Sequence, residues 1–280
     1  MRPLVSVVIP AYNAEQWIGE TINSVFNQRY PAIEIVVVDD CSTDKTWEIL
    51  QEIKRTIPGN IKSFVTFRND QNAKECRTSR KGFSLSTGDY ICRLSADDTF
   101  VSSHHLEDQI SIMEKWGSDW CYNSVNTTGV NPVESTTYKS SWFPVPRWFH
   151  YNFLQCLDNA ILSHPYLAFL IVLFRNPVNS STFMIRADSY RKYAQWSDKH
   201  WTDCDSLLLM KLLLCKTRGI AIHEIGAFYR LHPGQGSRSP EYQKEVIRIR
   251  KEVVDFIQTG NYPFWFKKAS RMIMNVKYGR

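Results

Sequence analysis

Two apolar runs, Leu-Val-Ser-Val-Val-Ile at residues 4–9 and Ile-Glu-Ile-Val-Val-Val at 33–38, constrain this chain more than any other feature. Each is nearly continuous in β-branched residues, as a strand covered on both faces requires. Between them Trp17, Ile18, Ile22, Val25 and Phe26 recur at helical spacing until Tyr30-Pro31 stops the pattern. Strand, helix and strand make a βαβ unit, whose crossover sets the two strands parallel. Ser42 and Asp44 offer N-caps to a helix carrying Trp47, Ile49, Leu50, Ile53 and Ile57, closed by Pro58-Gly59. Further strands are expected at 61–67, 90–94 and 120–125, with Leu106, Ile110 and Met113 marking the clearest helix between them. The reading is an α/β fold with a single Rossmann-like, mostly parallel sheet flanked by helices.

The second half has another texture. Residues 123–146 are rich in Ser, Thr, Asn and Pro, a connection long enough to be either an active-site loop or a surface excursion. Beyond it the pattern predicts a strand at 181–185, a helix from about Asp203 to Leu214, a strand at 220–229 and a helix marked by Val246, Ile249, Val253 and Phe256. At 280 residues the chain suits one large domain, and 43% hydrophobic with 22% charged residues exclude a disordered or low-complexity chain. Two regions are expected: a main domain over 1–240 and a helical, basic and aromatic C-terminal extension over 241–280. Seven cysteines without a C-x-x-C pair read as reduced cytosolic thiols and not as a disulfide frame or zinc site.

The net charge of +6 is concentrated in the tail, where Lys267, Lys268, Arg271, Lys277 and Arg280 meet no acidic residue. With Phe264, Trp265 and Phe266 beside them, these residues either lie on an anionic membrane surface or form a packed helix with a solvated basic face. The apolar stretch 166–174 is far shorter than the roughly 20 residues of a spanning helix, and the N-terminus shows no signal-peptide pattern. A cytoplasmic protein is expected, with peripheral contact at the inner face of a membrane if the tail takes the first role. No nucleic-acid partner is expected.

In an open parallel sheet, ligands bind beyond the carboxyl ends of the strands. Asp39 and Asp40 follow the second strand, and Asp97 and Asp98 follow the fourth, so two acidic pairs border one crevice. One carboxylate can accept from a base N–H or a ribose hydroxyl, and another can hold a hard divalent cation against a diphosphate. The bland alternative is that the first pair caps a helix and the second makes a solvated turn. No G-x-G-x-x-G follows the first strand and no P-loop motif occurs anywhere, which removes the main support for a dehydrogenase or a P-loop kinase.

Three motifs in order, Val5-Ser6-Val7-Val8-Ile9-Pro10-Ala11-Tyr12-Asn13, Asn27-Gln28-Arg29-Tyr30-Pro31 and Glu34-Ile35-Val36-Val37-Val38-Asp39-Asp40-Cys41-Ser42-Thr43-Asp44, resemble the N-terminal half of the family 2 glycosyltransferases with the GT-A fold. The resemblance continues through Gly88-Asp89-Tyr90-Ile91, Ser95-Ala96-Asp97-Asp98, Asn176-Pro177-Val178, Thr202-Asp203-Cys204-Asp205 and Tyr229-Arg230-Leu231-His232-Pro233. It implies an inverting transferase that moves a sugar from a nucleoside diphosphate sugar, most often UDP-linked, to a glycan or lipid-linked acceptor. It further implies that Pro10, Ala11, Tyr12 and Asp40 meet the base, that Asp97, Asp98 and His232 hold Mn²⁺ or Mg²⁺, and that Asp203 is the general base. Arg80 or Arg77 is the expected phosphate contact, and Asp97 also borders the nucleotide.

Several positions depart from the family pattern. Ser95 stands where the family often has Asp, Thr202 where it has Glu, and Lys74 where it has Gly. These departures keep two other readings in view, a degenerate GT-A domain that binds nucleotide without turnover and a nucleotidyltransferase. Trp142, Trp148 and Trp201 are candidates for stacking on a sugar.

Overall fold

A computed structural model describes residues 2–128, 135–138, 151–194, 204–233, 235 and 239–278. Strands β1 (Val5–Ala11), β2 (Ile33–Asp39), β3 (Ile61–Arg68) and β4 (Tyr90–Arg93) pair in parallel in the order β3-β2-β1-β4. The apolar runs follow from burial on both sides, because side chains alternate across the sheet. Val7, Ile9, Ile35 and Val37 enter one core with Ile18, Ile22 and Val25 of α1 (Ile18–Phe26), Leu50 of α2 (Thr46–Ile53) and Leu106 of α4 (His105–Trp116). Val8, Val36, Val38 and Ile91 enter the opposite core with Phe83 of α3 (Glu75–Leu85).

The β-α alternation is borne out in this parallel half, and past β4 the sheet becomes mixed. Strand β8 (Met184–Arg186) runs antiparallel between β4 and β6 (Trp120–Thr128). It is entered from one 3-10 turn at Ser180–Thr182 and not from a crossover helix, so no connection forces it parallel. Strand β9 (Gly219–Arg230) is parallel to β6, β5 (Thr99–Phe100) pairs antiparallel with β9, and β7 (Ser135–Tyr138) pairs with β6. Two-residue β5 and the Ser/Thr-rich β7 carry no periodic signal that the sequence could reveal.

The helices α5 (Tyr151–Leu162), α6 (Pro165–Phe174) and α8 (Cys204–Leu214) cover one face, and α7 (Ala187–Tyr193) follows β8. The chain ends in α9 (Pro240–Thr259) and α10 (Phe264–Tyr278). Pro240 sits at the first helical position of α9, and the Ser239 hydroxyl accepts the Tyr242 amide at 3.1 Å. The tail is thus a packed helix, anchored by fully buried Phe266 against Phe169 and Tyr166 of α6. Among the described residues no single helix is long and apolar enough to cross a membrane; residues 156–162 and α6 are apolar together but meet at 107°. Cys41, Cys76, Cys92, Cys121, Cys156 and Cys215 are unpaired.

Pro10 marks where the sheet opens. The Val8 carbonyl accepts from Leu94 on the β4 side, so by period-two alternation Pro10 also faces that side, beyond the last β1–β4 pair at Val8 and Arg93. A residue without an N–H is tolerated there because no neighbouring strand remains to be paired.

At the opposite end of β1 a buried network sets the entry to β4. Glu34 accepts from the Thr87 amide at 2.8 Å, from the Thr87 hydroxyl at 2.9 Å and from the Ser6 hydroxyl, which in turn accepts the Gly88 amide at 2.9 Å. A Cβ on Gly88 would lie 2.6 Å from Ser6 Oγ and 2.8 Å from the Leu4 carbonyl oxygen, and the latter is backbone that cannot rotate away. Gly88→Ala is therefore expected to lower stability by about 1–3 kcal/mol. A chemical-denaturation midpoint equal to wild type would show that this approach is not limiting.

Candidate active site

A cleft of about 870 Å³ opens beyond the carboxyl ends of β1, β2 and β4. That lies near the top of the roughly 300–1,000 Å³ range of ligand sites. Pro10, Ala11, Tyr12, Asp40 and Asp97 line it together with His232, whereas Asp98 and Arg80 do not.

Two loops build the end formed by β1 and β2. The Asn13 amide donates to Ser42 Oγ at 3.0 Å, the Thr43 amide to Asn13 Oδ1 at 2.9 Å, and the Ala14 amide to Thr46 Oγ1 at 2.8 Å. Asn13 adopts φ 48°, a left-handed conformation that Asn tolerates better than most residues. Adjacent Asp39 and Asp40 then take different roles. Asp39 is fully buried, accepts from the Ser42 backbone and hydroxyl, and pairs with Arg68 at 3.1 Å; burial pushes its carboxyl above the usual range. Asp39 is the capping residue of the pair.

Asp40 faces the cleft. Its Oδ1 accepts from Asn69 Nδ2 and the Ala73 amide, both at 2.7 Å, and its Oδ2 accepts from the Lys74 amide at 2.9 Å. A carboxylate offers about four acceptor positions. Three are filled by the chain itself, which leaves one on Oδ2. Lys74 is drawn to φ 70°, ψ 161°, backbone that is nearly exclusive to glycine and costs about 1–3 kcal/mol for other residues. The Lys-for-Gly departure in the sequence thus falls on a strained residue at the rim of the cleft.

The other end is built by the turn after β4 and the end of β9. Asp97 Oδ2 and His232 Nε2 lie 2.9 Å apart, each side chain about one-fifth exposed. Asp98 points the other way and is fully buried, accepting from the Ser181 hydroxyl and, at 2.9 Å, from the Arg230 amide. Burial and then the charge of Asp97 push Asp98 well above the usual carboxylate range. The Arg230 guanidinium lies 4.3 Å above the Trp17 ring and donates to Glu20 at 2.7 Å, while Trp17 and His232 approach to 6.0 Å. Ser95 Oγ lies 3.0 Å from the Ser181 hydroxyl, whose proton goes to Asp98, so the hydroxyl that replaces a carboxylate here serves the turn itself.

Among the described residues no group of three His, Cys, Asp or Glu side chains is placed to hold a metal ion. The Asp97–His232 pair supplies one hard oxygen and one imidazole nitrogen. Such a donor set suits a Mg²⁺- or Mn²⁺-sized cation that completes its shell with diphosphate and water oxygens, and it does not suit a cation held by protein alone.

On the sheet side of the cleft, two cations escaped the sequence reading. Lys74 and Arg93 line the site, whereas Arg77 is exposed and Arg80 half-buried, both away from it. Arg93 is buried beside Glu75 and lies 3.4 Å from Ser79 Oγ and from Ser95 Oγ. A charged residue inside the apolar run Tyr-Ile-Cys-Arg-Leu was the available signal. Asp203, Thr202, Trp201, Trp142 and Trp148 lie outside the described residues. Ser206, in the first turn of α8, does line the cleft.

Lys74→Gly is expected to leave the thermal midpoint unchanged or raised, because glycine relieves the positive φ. A lowered midpoint would show that the backbone strain is offset by contacts of the lysine side chain.

The glycosyl transferase family 2 model matches residues 6–176. An uncharacterized glycosyltransferase of Haemophilus influenzae is 31% identical over 259 residues, covering 91% of this chain and 74% of that protein. The UDP-Glc:alpha-D-GlcNAc-diphosphoundecaprenol beta-1,3-glucosyltransferase WfaP of Escherichia coli is 33% identical over 88% of this chain and 83% of its own length. Among solved structures, S. aureus TarS 1-349 in complex with UDP-GlcNAc superposes with a TM-score of 0.67 at 18% identity, over 98% of this chain and 71% of that one. The mannosyltransferase PcManGT of Pyrobaculum calidifontis, in complex with GDP-Man and Mn²⁺, gives 0.66 at 18% identity, over 99% and 70%. At these identities the two structures show a shared fold.

Proposed function

The chain belongs to glycosyl transferase family 2, and from that membership we propose that it transfers a hexose from a UDP-sugar, with inversion, to a hydroxyl of a lipid-linked or other glycan acceptor. The observation that carries the reading is the meeting of Asp97 and His232 at 2.9 Å in a cleft whose far end presents an acceptor position on Asp40. The remaining acceptor position on Asp40 suits the N–H of a uracil ring, with Tyr12, 49% exposed, available to stack on the base. The relative WfaP acts with UDP-Glc on a diphosphoundecaprenol-linked sugar, and TarS binds UDP-GlcNAc, which supports a UDP-sugar donor and favours a lipid-linked acceptor.

In the proposed chemistry the acceptor oxygen attacks the anomeric carbon while the bond to the diphosphate oxygen breaks and UDP leaves with that electron pair. Asp203 takes the acceptor proton as the new bond forms. Asp97 and His232 would hold a divalent cation, which when bound offsets negative charge on the leaving diphosphate. Lys74 adds positive charge at the rim, and Asp98 holds the Asp97 turn against β9. We propose a main domain over 1–240 and an extension over 241–280, a division supported by the start of α9 at Pro240.

We further propose that α10 rests on an anionic membrane surface. Phe264 (81% exposed), Trp265, Met272 and Val276 (76%) stand out on it beside Lys267, Lys268 and Arg271. The full chain should co-sediment with phosphatidylglycerol vesicles in a salt-sensitive way, and Phe264→Ser with Trp265→Ser should reduce it several-fold. Identical sedimentation of wild type and variant would refute this contact.

The function is tested by turnover of a panel of nucleotide sugars with a short-chain prenyl diphosphate sugar as acceptor. Activity is expected with a UDP-sugar and Mn²⁺ or Mg²⁺, to be lost on chelation. Asp203→Asn should lower kcat roughly a hundredfold or more while donor affinity stays within about twofold. A wild type that binds UDP yet turns over no donor would replace this reading with a nucleotide-binding module.

A further inference from the structure

The helical wall of the cleft carries charge where helix periodicity calls for apolar residues. In α9 the buried face runs through Val246, Ile249, Val254 and Ile257, and Arg250 lies on it, 6% exposed. Its guanidinium donates to the Tyr278 hydroxyl and its Nε has no hydrogen-bond partner. Among the described residues no carboxylate pairs with Arg250 or with Lys277. Glu245, one turn before Arg250, is held by Arg248. A nine-tenths-buried cation with an unmet donor costs stability unless something supplies the missing acceptor.

More positive charge gathers at the same place. Lys277 continues the face of α10 that buries Phe266 and Ser270, and Arg175 follows the last residue of α6. The Lys277 side chain is open to solvent, but its Nζ sits 4.6 Å over the Phe174 ring. Partial burial, then Arg250 and Arg175, lowers the Lys277 ammonium to about 8. Arg175 and Lys277 also end helices, where the macrodipole favours cations. That argument does not reach Arg250, which lies in mid-helix. Arg250, Lys277 and Tyr278 all line the cleft. They come from the C-terminal helices, whereas Asp40, Lys74, Asp97 and His232 come from the sheet loops.

We propose that Arg250, Lys277 and Tyr278, with Arg175 beside them, form a subsite for the diphosphate of a lipid-linked acceptor, an assignment that rests on the transferase reading above. Two cations and a phenol match a diphosphate, whose oxygens accept only. The Arg250 Nε provides a donor that the protein leaves unmet. Near the same end of α10, Met272 and Val276 are 60% and 76% exposed. A prenyl chain leaving this subsite therefore has apolar surface beside it.

The test is calorimetric titration of the full chain, saturated with UDP, with farnesyl diphosphate, inorganic pyrophosphate or farnesol. Farnesyl diphosphate should bind the UDP-saturated protein, pyrophosphate more weakly and farnesol not measurably. Arg250→Gln and Lys277→Gln should each weaken farnesyl diphosphate about tenfold or more, with UDP affinity within about twofold of wild type. Lys277 is exposed, so Lys277→Gln decides the matter even if the buried Arg250→Gln fails to fold. Farnesyl diphosphate affinity unchanged in Lys277→Gln overturns the proposal. Pyrophosphate binding as tightly as farnesyl diphosphate overturns the lipid-linked source, and farnesol binding as tightly overturns the anion site. Parallel loss of UDP affinity gives the cluster to the donor and overturns it as well. Because binding is read without turnover, a catalytically silent wild type defeats the proposed function separately from this subsite.

Discussion

The site depends on one buried carboxylate. Asp98 accepts from the Ser181 hydroxyl and from the Arg230 amide, and so joins three segments far apart in sequence: the turn after β4, the turn before β8 and the end of β9. With that junction in place, Asp97 and His232 meet at 2.9 Å although 135 positions separate them. Burial and then the charge of Asp97 raise the proton affinity of Asp98, and the hydrogen bonds from Ser181 and Arg230 oppose that rise. Neighbouring aspartates thus divide the work, one turned inward to hold the turn and one outward into the cleft.

The same division recurs at the other acidic pair. Asp39 is consumed by Ser42 and Arg68, while Asp40 fixes the Asn69–Lys74 segment and still presents an acceptor to the cleft. The reason is geometric. Asp39 closes β2 and is taken up by the following loop, whereas Asp40, the first residue beyond the strand, faces the opening. The positive φ at Lys74 is the local consequence of tying that loop to Asp40.

The C-terminal helices add a second kind of wall. Phe266 seats α10 on α6, and that packing brings Arg250, Lys277 and Tyr278 to a cleft otherwise made of sheet loops. The sheet wall offers carboxylates, an imidazole and the cations Lys74 and Arg93, and the helical wall adds Arg250, Lys277 and Tyr278 beside Glu241.

The sequence by itself determined the parallel half of the fold. Runs such as Val5–Ile9 and Ile33–Val38 can be buried on both faces in only one way, and the helical spacing between them leaves the crossover little choice. It also placed Asp40 and Asp97 at strand ends, because a strand's end is a local property of its pattern. What the tertiary structure alone decided were matters of orientation and long-range pairing. That β8 inserts antiparallel, that Asp98 turns inward, that Lys74 and Arg93 and not Arg80 line the cleft, and that Arg250 occupies a core-facing position beside Lys277 all depend on partners tens to hundreds of residues away. Local periodicity records which face of an element is apolar. It does not record which charged residue will find its partner across the fold, because that pairing exists only after distant segments have packed.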